Sequence, residues 1–210
     1  MRLASWSLPL VLAALAPLLT PSSSLAQGLV IAEFVAGPAR DWDGSGAFNS
    51  RDDEWIELYN AGSAAVDLSP YWVTDSDSIP RFASSAMLAP HERLVITGKA
   101  SVDWERATGH PVFGLSLGNT GDAVMLWRSN GADTTLVDSY TYRSHEAAAD
   151  RAGGRLGASG AWALFDGLNP YTGATPPPGT GCSPTFGGPT ECGVTPTKPV
   201  TWGELMRRYR

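Results

Sequence analysis

Oxygen-bearing side chains alternate along residues 41–52 in the order that calcium-binding loops use. The segment reads Asp-Trp-Asp-Gly-Ser-Gly-Ala-Phe-Asn-Ser-Arg-Asp, with Gly46 where such a loop turns sharply. Calcium prefers several hard oxygen ligands around one point, and alternating ligands on a tightly turned loop supply them. Six residues stand at the ligand positions of this twelve-residue pattern: Asp41, Asp43, Ser45, Ala47 through its carbonyl, Asn49 and Asp52. The spacing therefore predicts one calcium ion with a structural role.

Two features of this loop depart from the calcium pattern. Asp52 stands where a longer glutamate is usual, and strands are predicted on both sides in place of helices. Asp53 or Glu54 could supply the last ligand instead of Asp52. The alternative interpretation is a solvated hairpin loop that is acidic without holding an ion, because motif matches of this kind include false positives.

Glu33 and Glu57 are the other candidates for chemistry, since the predicted fold places their strands close together. Paired carboxylates can act as general acid and general base. The structural interpretation, a glutamate that faces solvent or pairs with an arginine or a backbone donor, is favoured because neither strand indicates a cleft. The histidines, His91, His110 and His145, follow no metal-binding spacing, and neither a nucleophile elbow nor a phosphate-binding loop occurs. No catalytic residue is therefore assigned.

Short strands separated by Gly, Asn and Asp must position these residues. Residues 54–60 predict a strand with Ile56 and Leu58 on one face and Trp55 and Glu57 on the other. Further strands are predicted at 29–36, 66–68, 71–73, 79–83, 93–97, 123–127, 134–142 and 161–165, and a helical turn at 100–107 capped by Ser101. Frequent turns without a long helical period indicate an all-β sandwich.

The order of several motifs resembles a bacterial lamin tail domain. Ile31-Ala32-Glu33 precedes Glu-Trp-Ile-Glu-Leu-Tyr-Asn at 54–60, and Val66-Asp67-Leu68-Ser69 follows, before a strand with a tryptophan. A glycine-aspartate turn at 117–126 and a closing segment at 155–179 are similar as well. The resemblance covers residues 28–178 and implies an immunoglobulin-like β-sandwich. It also implies an adhesive or targeting module of the kind often appended to secreted hydrolases.

The first 26 residues have the three parts of a secretory signal peptide. Arg2 is their one charged residue, an apolar run occupies residues 8–19, and Ser24-Leu25-Ala26 is a small-x-small cleavage site. A membrane anchor is the alternative, but the run is short for a bilayer and prolines interrupt it. The sequence thus predicts a secreted or cell-surface protein, or a periplasmic one, with no transmembrane segment after signal cleavage.

The composition changes to proline and glycine after residue 178, which predicts a semi-rigid linker at 179–200 that packs no core. Cys182 and Cys192 are the only cysteines and lie close together in the chain. In an oxidising compartment such a pair predicts one disulfide. A metal site would need more ligands than two thiolates, and no histidine lies nearby.

The last ten residues, 201–210, predict a short amphipathic helix. Thr201 and Glu204 fit a capping box, in which each side chain reaches the other's backbone. Four residues then fall on one helical face, which we expect to bind a partner: Trp202, Leu205, Met206 and Tyr209. An isolated helix this short is marginal in water, so its apolar face needs a surface to cover it.

Composition and motifs together favour a binding function over an enzymatic one. The net charge of −6 argues against general nucleic-acid binding, because phosphate contacts need a basic face. The sequence predicts a non-catalytic module with a calcium-stabilised loop that binds a protein or a glycan at the cell surface. The alternative is a secreted metal-dependent hydrolase, nuclease or phosphatase-like, that uses the acidic loop as its centre.

Overall fold

The computed structural model describes residues 28–189 and Cys192, a region built from antiparallel strands and one α-helix. The strands are β1 (Leu29–Val35), β2 (Trp55–Asn60), β3 (Val66–Asp67), β4 (Tyr71–Thr74), β5 (Phe82–Ala83), β6 (Met87–Leu88), β7 (Arg93–Thr97), β8 (Gly121–Ser129), β9 (Thr134–Arg143), β10 (Ala152–Arg155) and β11 (Trp162–Phe165). Helix α1 spans Gly98–Thr108, and a 3-10 turn spans Leu156–Ala158. The signal peptide predicted at 1–26 and the helix predicted at 201–210 lie outside the described residues.

Two sheets face each other across the main hydrophobic core. One has five strands in the order β11-β10-β1-β2-β7, and the other has four in the order β5-β4-β8-β9. Strands β3 and β6 pair separately as a small ribbon. The core draws buried side chains from both sheets, including Ile31, Phe34, Ile56, Val73, Val124 and Leu126. This arrangement confirms the predicted all-β sandwich.

Strand β2 lies inside the five-stranded sheet, paired with β1 on one side and β7 on the other. Its alternation of residues follows the prediction. Ile56 and Leu58 belong to the core between the sheets, whereas Trp55 packs on the opposite face of the same sheet. Because both faces are covered, all but one of the residues of β2 are buried.

A β-bulge in β1 decides which face Glu33 occupies. Ile31 pairs with Leu58, but Glu33 pairs with Glu57, so Ala32 is an extra residue on the β1 side. The extra residue shifts the alternation of β1, since side chains switch faces at each residue of a strand. Ile31 and Phe34 therefore both enter the core, and Glu33 points to the outer face beside Glu57.

The tail differs from the predicted linker, because the described part of it packs against the outer face of the five-stranded sheet. Gly179 pairs with Leu164 of β11, and the Cys182–Cys192 disulfide is formed. Phe186 and both cysteines pack with apolar residues of this face, namely Val35, Trp55, Ala152, Ala163 and Phe165. The proline and glycine content predicted a segment that packs no core. Phe186 and the two cysteines instead join the residues of this sheet face in a second, smaller hydrophobic core.

Two local predictions also need correction. The helix begins earlier than expected, because Thr97 caps it by accepting a hydrogen bond from Ala100 N at 3.1 Å. Ser101 is instead buried inside the helix and donates to the carbonyl of Arg81 at 2.6 Å. Strand β10 was not predicted, since its Ala-Gly-Gly-Arg sequence lacks the branched residues typical of strands.

Candidate functional site

Three carboxylates converge in the acidic loop, which we define as residues 41–53 between β1 and β2. Each of Asp41, Asp43 and Asp53 offers an oxygen, and these atoms all lie within 4.8 Å of one another. Asp41 and Asp43 are partly exposed, whereas Asp53 is fully buried. The set is therefore open to solvent on one side and anchored to the protein on the other.

Asp53 fixes the path of the acidic loop. One of its carboxylate oxygens accepts hydrogen bonds from the backbone N–H groups of Trp42 and Asp43, at 2.7 and 2.9 Å. Its other oxygen accepts from Asn49 N at 2.7 Å. These three hydrogen bonds compensate the buried carboxylate for its loss of hydration, and they hold the backbone of the loop close to Asp53 at three residues.

Asp41 and Asp43 close the tight turn at the tip of the loop. Asp41 accepts hydrogen bonds from Ser45 N at 3.0 Å and Gly46 N at 2.7 Å, and Asp43 accepts from Ser45 N at 2.9 Å. Gly46 has a φ of +89°, a conformation that a residue without a Cβ adopts at little cost. Partial burial alone would raise the pKa of Asp43, but hydrogen bonds from Ser45 bring it below its ordinary value. Asp43 is thus ionised at neutral pH.

The remaining residues of the predicted calcium set lie elsewhere on the loop. Asp52 turns away and forms an ion pair with Arg51 at 2.8 Å, so the structure brings Asp53 to the cluster in its place. The side chain of Asn49 accepts from Arg51 N at 3.0 Å, and Ser45 Oγ donates to the carbonyl of Ala47 at 3.1 Å. Asp41, Asp43 and Asp53 are the residues that would hold a hard cation, because all their ligand atoms are carboxylate oxygens.

A second acidic site lies on the outer face of the five-stranded sheet. We call Glu33 and Glu57 the carboxylate pair; both are fully buried and stand opposite each other in register. Glu33 accepts hydrogen bonds from Thr185 N at 2.9 Å and Thr185 Oγ1 at 2.5 Å. Glu57 accepts from Gly187 N at 2.8 Å and pairs with Arg93 at 3.0 Å. Each glutamate therefore holds the tail by a backbone donor.

Burial is the largest influence on the pKa values of this pair. It raises the pKa of Glu33 to about 8, against the hydrogen bonds from Thr185 that lower it, and the charge of Glu57 adds to the rise. Burial also raises the pKa of Glu57, although its hydrogen bond from Gly187 and its ion pair with Arg93 oppose the change. One cation beside two buried carboxylates leaves a proton on Glu33 at neutral pH.

Phe186 connects the two acidic sites. Its ring packs against two tryptophans that also contact each other, with centroid distances of 5.6 Å to Trp42 and 5.4 Å to Trp55. Trp42 belongs to the acidic loop, and its indole N–H donates to Asp150 at 2.9 Å. The tail residue therefore contacts both the loop and strand β2. Sequence reasoning missed this contact, and the only signal for it was the outward-facing position of Trp55 and Glu57 on β2.

The histidines are dispersed and make local contacts. His91 hydrogen-bonds with Tyr59 at 3.2 Å, His110 stacks on Trp104, and His145 lies against Tyr171. In residues 28–189, none of their hydrogen bonds is with a member of the acidic cluster or of the carboxylate pair. The two acidic sites thus consist of carboxylates, backbone donors, the hydroxyl of Thr185 and one arginine.

A two-sheet sandwich with polar chemistry on one loop and on one outer sheet face defines an all-β, immunoglobulin-like module. The model of the family named Lamin Tail Domain matches residues 22–144, more than half of the chain. The chain therefore belongs to the lamin tail domain family, which is generally non-catalytic. The matched region ends before β10, β11 and the tail. Comparisons with curated proteins and with solved structures find no match.

Proposed function

We propose that this chain is a non-catalytic binding or scaffolding module of the cell surface, with one calcium ion that orders the acidic loop. The observation that carries the proposal is the convergence of Asp41, Asp43 and Asp53 within 4.8 Å. Carboxylates this close repel one another without a cation. A bound calcium ion removes that repulsion and fixes the loop between β1 and β2.

Membership of the lamin tail domain family supports the non-catalytic part of the proposal. Hydrolytic metal sites need an open coordination position beside a base and within a pocket. We place a protein or glycan of the cell surface as the partner, without general affinity for nucleic acids because the net charge is −6. The residues predicted to bind a partner, 202–209, lie outside the described part of the chain.

The disulfide supports an exported location. Cys182 and Cys192 are joined, and such bonds persist in oxidising compartments. In residues 28–189 no helix is both long and apolar enough to cross a membrane. Extracellular calcium modules bind the ion with dissociation constants of ~10⁻⁴–10⁻³ M, which suits a protein outside the cytoplasm.

A thermal melt in calcium and then in chelator tests the calcium site. At ~2 mM free calcium and a dissociation constant of ~10⁻⁴ M, binding adds roughly 1.8 kcal/mol to the free energy of unfolding. For a domain of this size the melting temperature should rise by about 4–7 °C. The variant Asp41→Asn with Asp43→Asn should lose this rise, because two of the three converging carboxylates become neutral.

Asp52→Asn is the matched control, since this carboxylate pairs with Arg51 outside the cluster. It should keep the calcium-dependent rise of the wild type. If the wild type and the double variant melt identically in both buffers, the loop is an acidic connection without an ion. A separate screen against nuclease, phosphatase and glycosidase substrates tests the hydrolase alternative. Calcium-dependent turnover that Asp43→Ala abolishes would overturn the non-catalytic function.

A further inference from the structure

We propose that the outer face of the five-stranded sheet is a peptide-recognition site for a tight turn with an aromatic residue at its tip. Its resting occupant is the chain's own disulfide loop, which we define as residues 182–192. The disulfide keeps this loop in the conformation that binds the sheet. The ligand class is a constrained turn that presents two backbone N–H donors on either side of an aromatic side chain. The proposal does not depend on a bound cation.

The receptor side of this site is polar at its centre. Glu33 and Glu57 are both fully buried, and in the described part of the chain their hydrogen-bond donors are Thr185, Gly187 and Arg93. A buried carboxylate or carboxylic acid is costly unless it is hydrogen-bonded, so the sheet face requires hydrogen-bonding groups from whatever covers it. An apolar cover could not supply them. The carboxylate pair therefore selects a peptide backbone.

Two tryptophans give the site its preference for an aromatic side chain. Trp42 and Trp55 lie 5.6 Å apart by ring centroid, and Phe186 packs against both. The buried indole N–H of Trp55 has no hydrogen-bond partner among the described residues. A different ligand that placed a carbonyl there would gain a bond that the described part of the disulfide loop does not make. A ligand with such a carbonyl should therefore bind this face more tightly than the disulfide loop does.

The occupant is a strained turn that the disulfide preorganises. Phe186 and Gly187 have φ values of +44° and +82°, a left-handed conformation that an open chain seldom adopts at two successive residues. Closing a loop with a sequence separation of 10 removes much of the disorder of the free chain. By the chain-entropy estimate, opening the disulfide should weaken docking of the loop roughly 30- to 150-fold.

Two backbone hydrogen bonds hold the ends of the disulfide loop to the sandwich: Gly167 N donates to the carbonyl of Cys182 at 2.7 Å, and Gly157 N donates to that of Cys192 at 3.2 Å. The family match ends at residue 144, so the loop lies outside the matched region. In the segment that joins β11 to the loop, residues 167–178 include three consecutive prolines and are mostly exposed, whereas Gly179 and Thr180 are bonded to Leu164 of β11. Release of the loop would break these terminal hydrogen bonds, but the pairing of β1 with β2 and β10 beneath the loop involves none of its residues.

The test uses the full chain and the oxidised peptide Cys-Ser-Pro-Thr-Phe-Gly-Gly-Pro-Thr-Glu-Cys, labelled with a fluorophore. In fluorescence anisotropy we expect the variant Cys182→Ser with Cys192→Ser to bind this peptide at least 30-fold more tightly than the wild type does. The wild type keeps its own loop in place and excludes the peptide. A peptide with alanine in place of its phenylalanine should bind the double variant at least 10-fold more weakly.

Phe186→Ala in the full chain, with the disulfide intact, is a second way to loosen the occupant. It should also admit the peptide, and circular dichroism shows whether each variant is folded. If neither folded variant binds the peptide more tightly than the wild type, the loop is a permanent part of the core and the proposal fails. Equal binding of the phenylalanine and alanine peptides would likewise overturn the preference for an aromatic side chain.

Discussion

At the scale of single residues, backbone donors decide what each acidic side chain does. Asp53 is buried and accepts three backbone hydrogen bonds, so it anchors the acidic loop. Asp43 remains partly exposed at the loop tip, where its charge is available to a cation. Glu33 is buried against a neighbouring glutamate and therefore retains a proton at neutral pH. The sequence alone predicts neither the burial of Asp53 nor the proton on Glu33.

Protonation of Glu33 predicts that the protein loses stability as the pH rises from 5 to 8. Its pKa is about 8 in the folded protein and near 4.5 in the unfolded chain, so the folded state binds more protons between these values. The free energy of unfolding then falls with pH, by at most about 1.4 kcal/mol per pH unit for this group. Glu54, whose pKa burial also raises to about 8, acts in the same direction. Urea unfolding at pH 5, 6.5 and 8 measures the decline.

Glu33→Gln isolates the contribution of this residue. Glutamine keeps an acceptor for Thr185 N but does not titrate, so the decline between pH 5 and 8 should be shallower than in the wild type. Asp133→Asn, at an exposed position in the β8–β9 turn, serves as the control and should keep the wild-type decline. Chelator in every buffer keeps calcium from contributing. Equal slopes in wild type and Glu33→Gln would show that Glu33 takes up no proton on folding.

At the scale of elements, the sequence predicts well where a strand's own residues decide its structure. Strand β2 was placed with its two faces correctly assigned, because alternation of apolar residues is a local signal. Strand β10 could not be predicted, because its glycines are required by distant rings. A Cβ on Gly153 would lie 2.3 Å from Cε1 of Phe34, and one on Gly154 would lie 2.4 Å from Cε2 of Phe165. Such contacts are invisible before the fold is known.

The same contact predicts that Gly153→Ala destabilises the protein by roughly 1–3 kcal/mol through overpacking. Phe34 is fully buried and also packs against Tyr142 at a centroid distance of 4.8 Å, so its ring has little room to move. Urea unfolding of Gly153→Ala, Phe34→Leu and the double variant measures the coupling. The double variant should lose less stability than the sum of the two single losses, because removing the ring relieves the clash. Strict additivity would contradict this explanation of the glycine.

At the scale of the whole molecule, the sandwich was predictable and the packing of its outer face was not. Alternating strands and turn residues indicate two sheets because each strand needs a partner face to bury its apolar residues. The position of the tail depends on Glu33 reaching the outer face, and that depends on the bulge at Ala32. Likewise, Asp53 rather than Asp52 joins the acidic cluster, because Asp53 accepts backbone hydrogen bonds from the loop whereas Asp52 pairs with Arg51.

Hydrogen bonds and an ion pair next to the bulge in β1 also connect the two sheets along one side of the sandwich. Asp138 of β9 accepts a hydrogen bond from Ile31 N at 2.9 Å and pairs with Arg155 of β10 at 2.7 Å. Arg155 Nε in turn donates to the carbonyl of Ile31 at 3.0 Å. One carboxylate from the four-stranded sheet thus satisfies a backbone group and a cation of the five-stranded sheet.

Removing this connection should destabilise the protein as a whole. Asp138→Ala leaves a part-buried N–H of Ile31 and the guanidinium of Arg155 without their acceptor, at a cost of roughly 1–3 kcal/mol in the free energy of unfolding. Asp138→Asn keeps a side-chain oxygen and should lose less, and Asp133→Ala in the β8–β9 turn should change stability by no more than about 0.5 kcal/mol. Urea unfolding at pH 7 ranks the three variants. If Asp138→Ala is as stable as Asp133→Ala, the sheets are held together by their apolar core and this bridge contributes nothing.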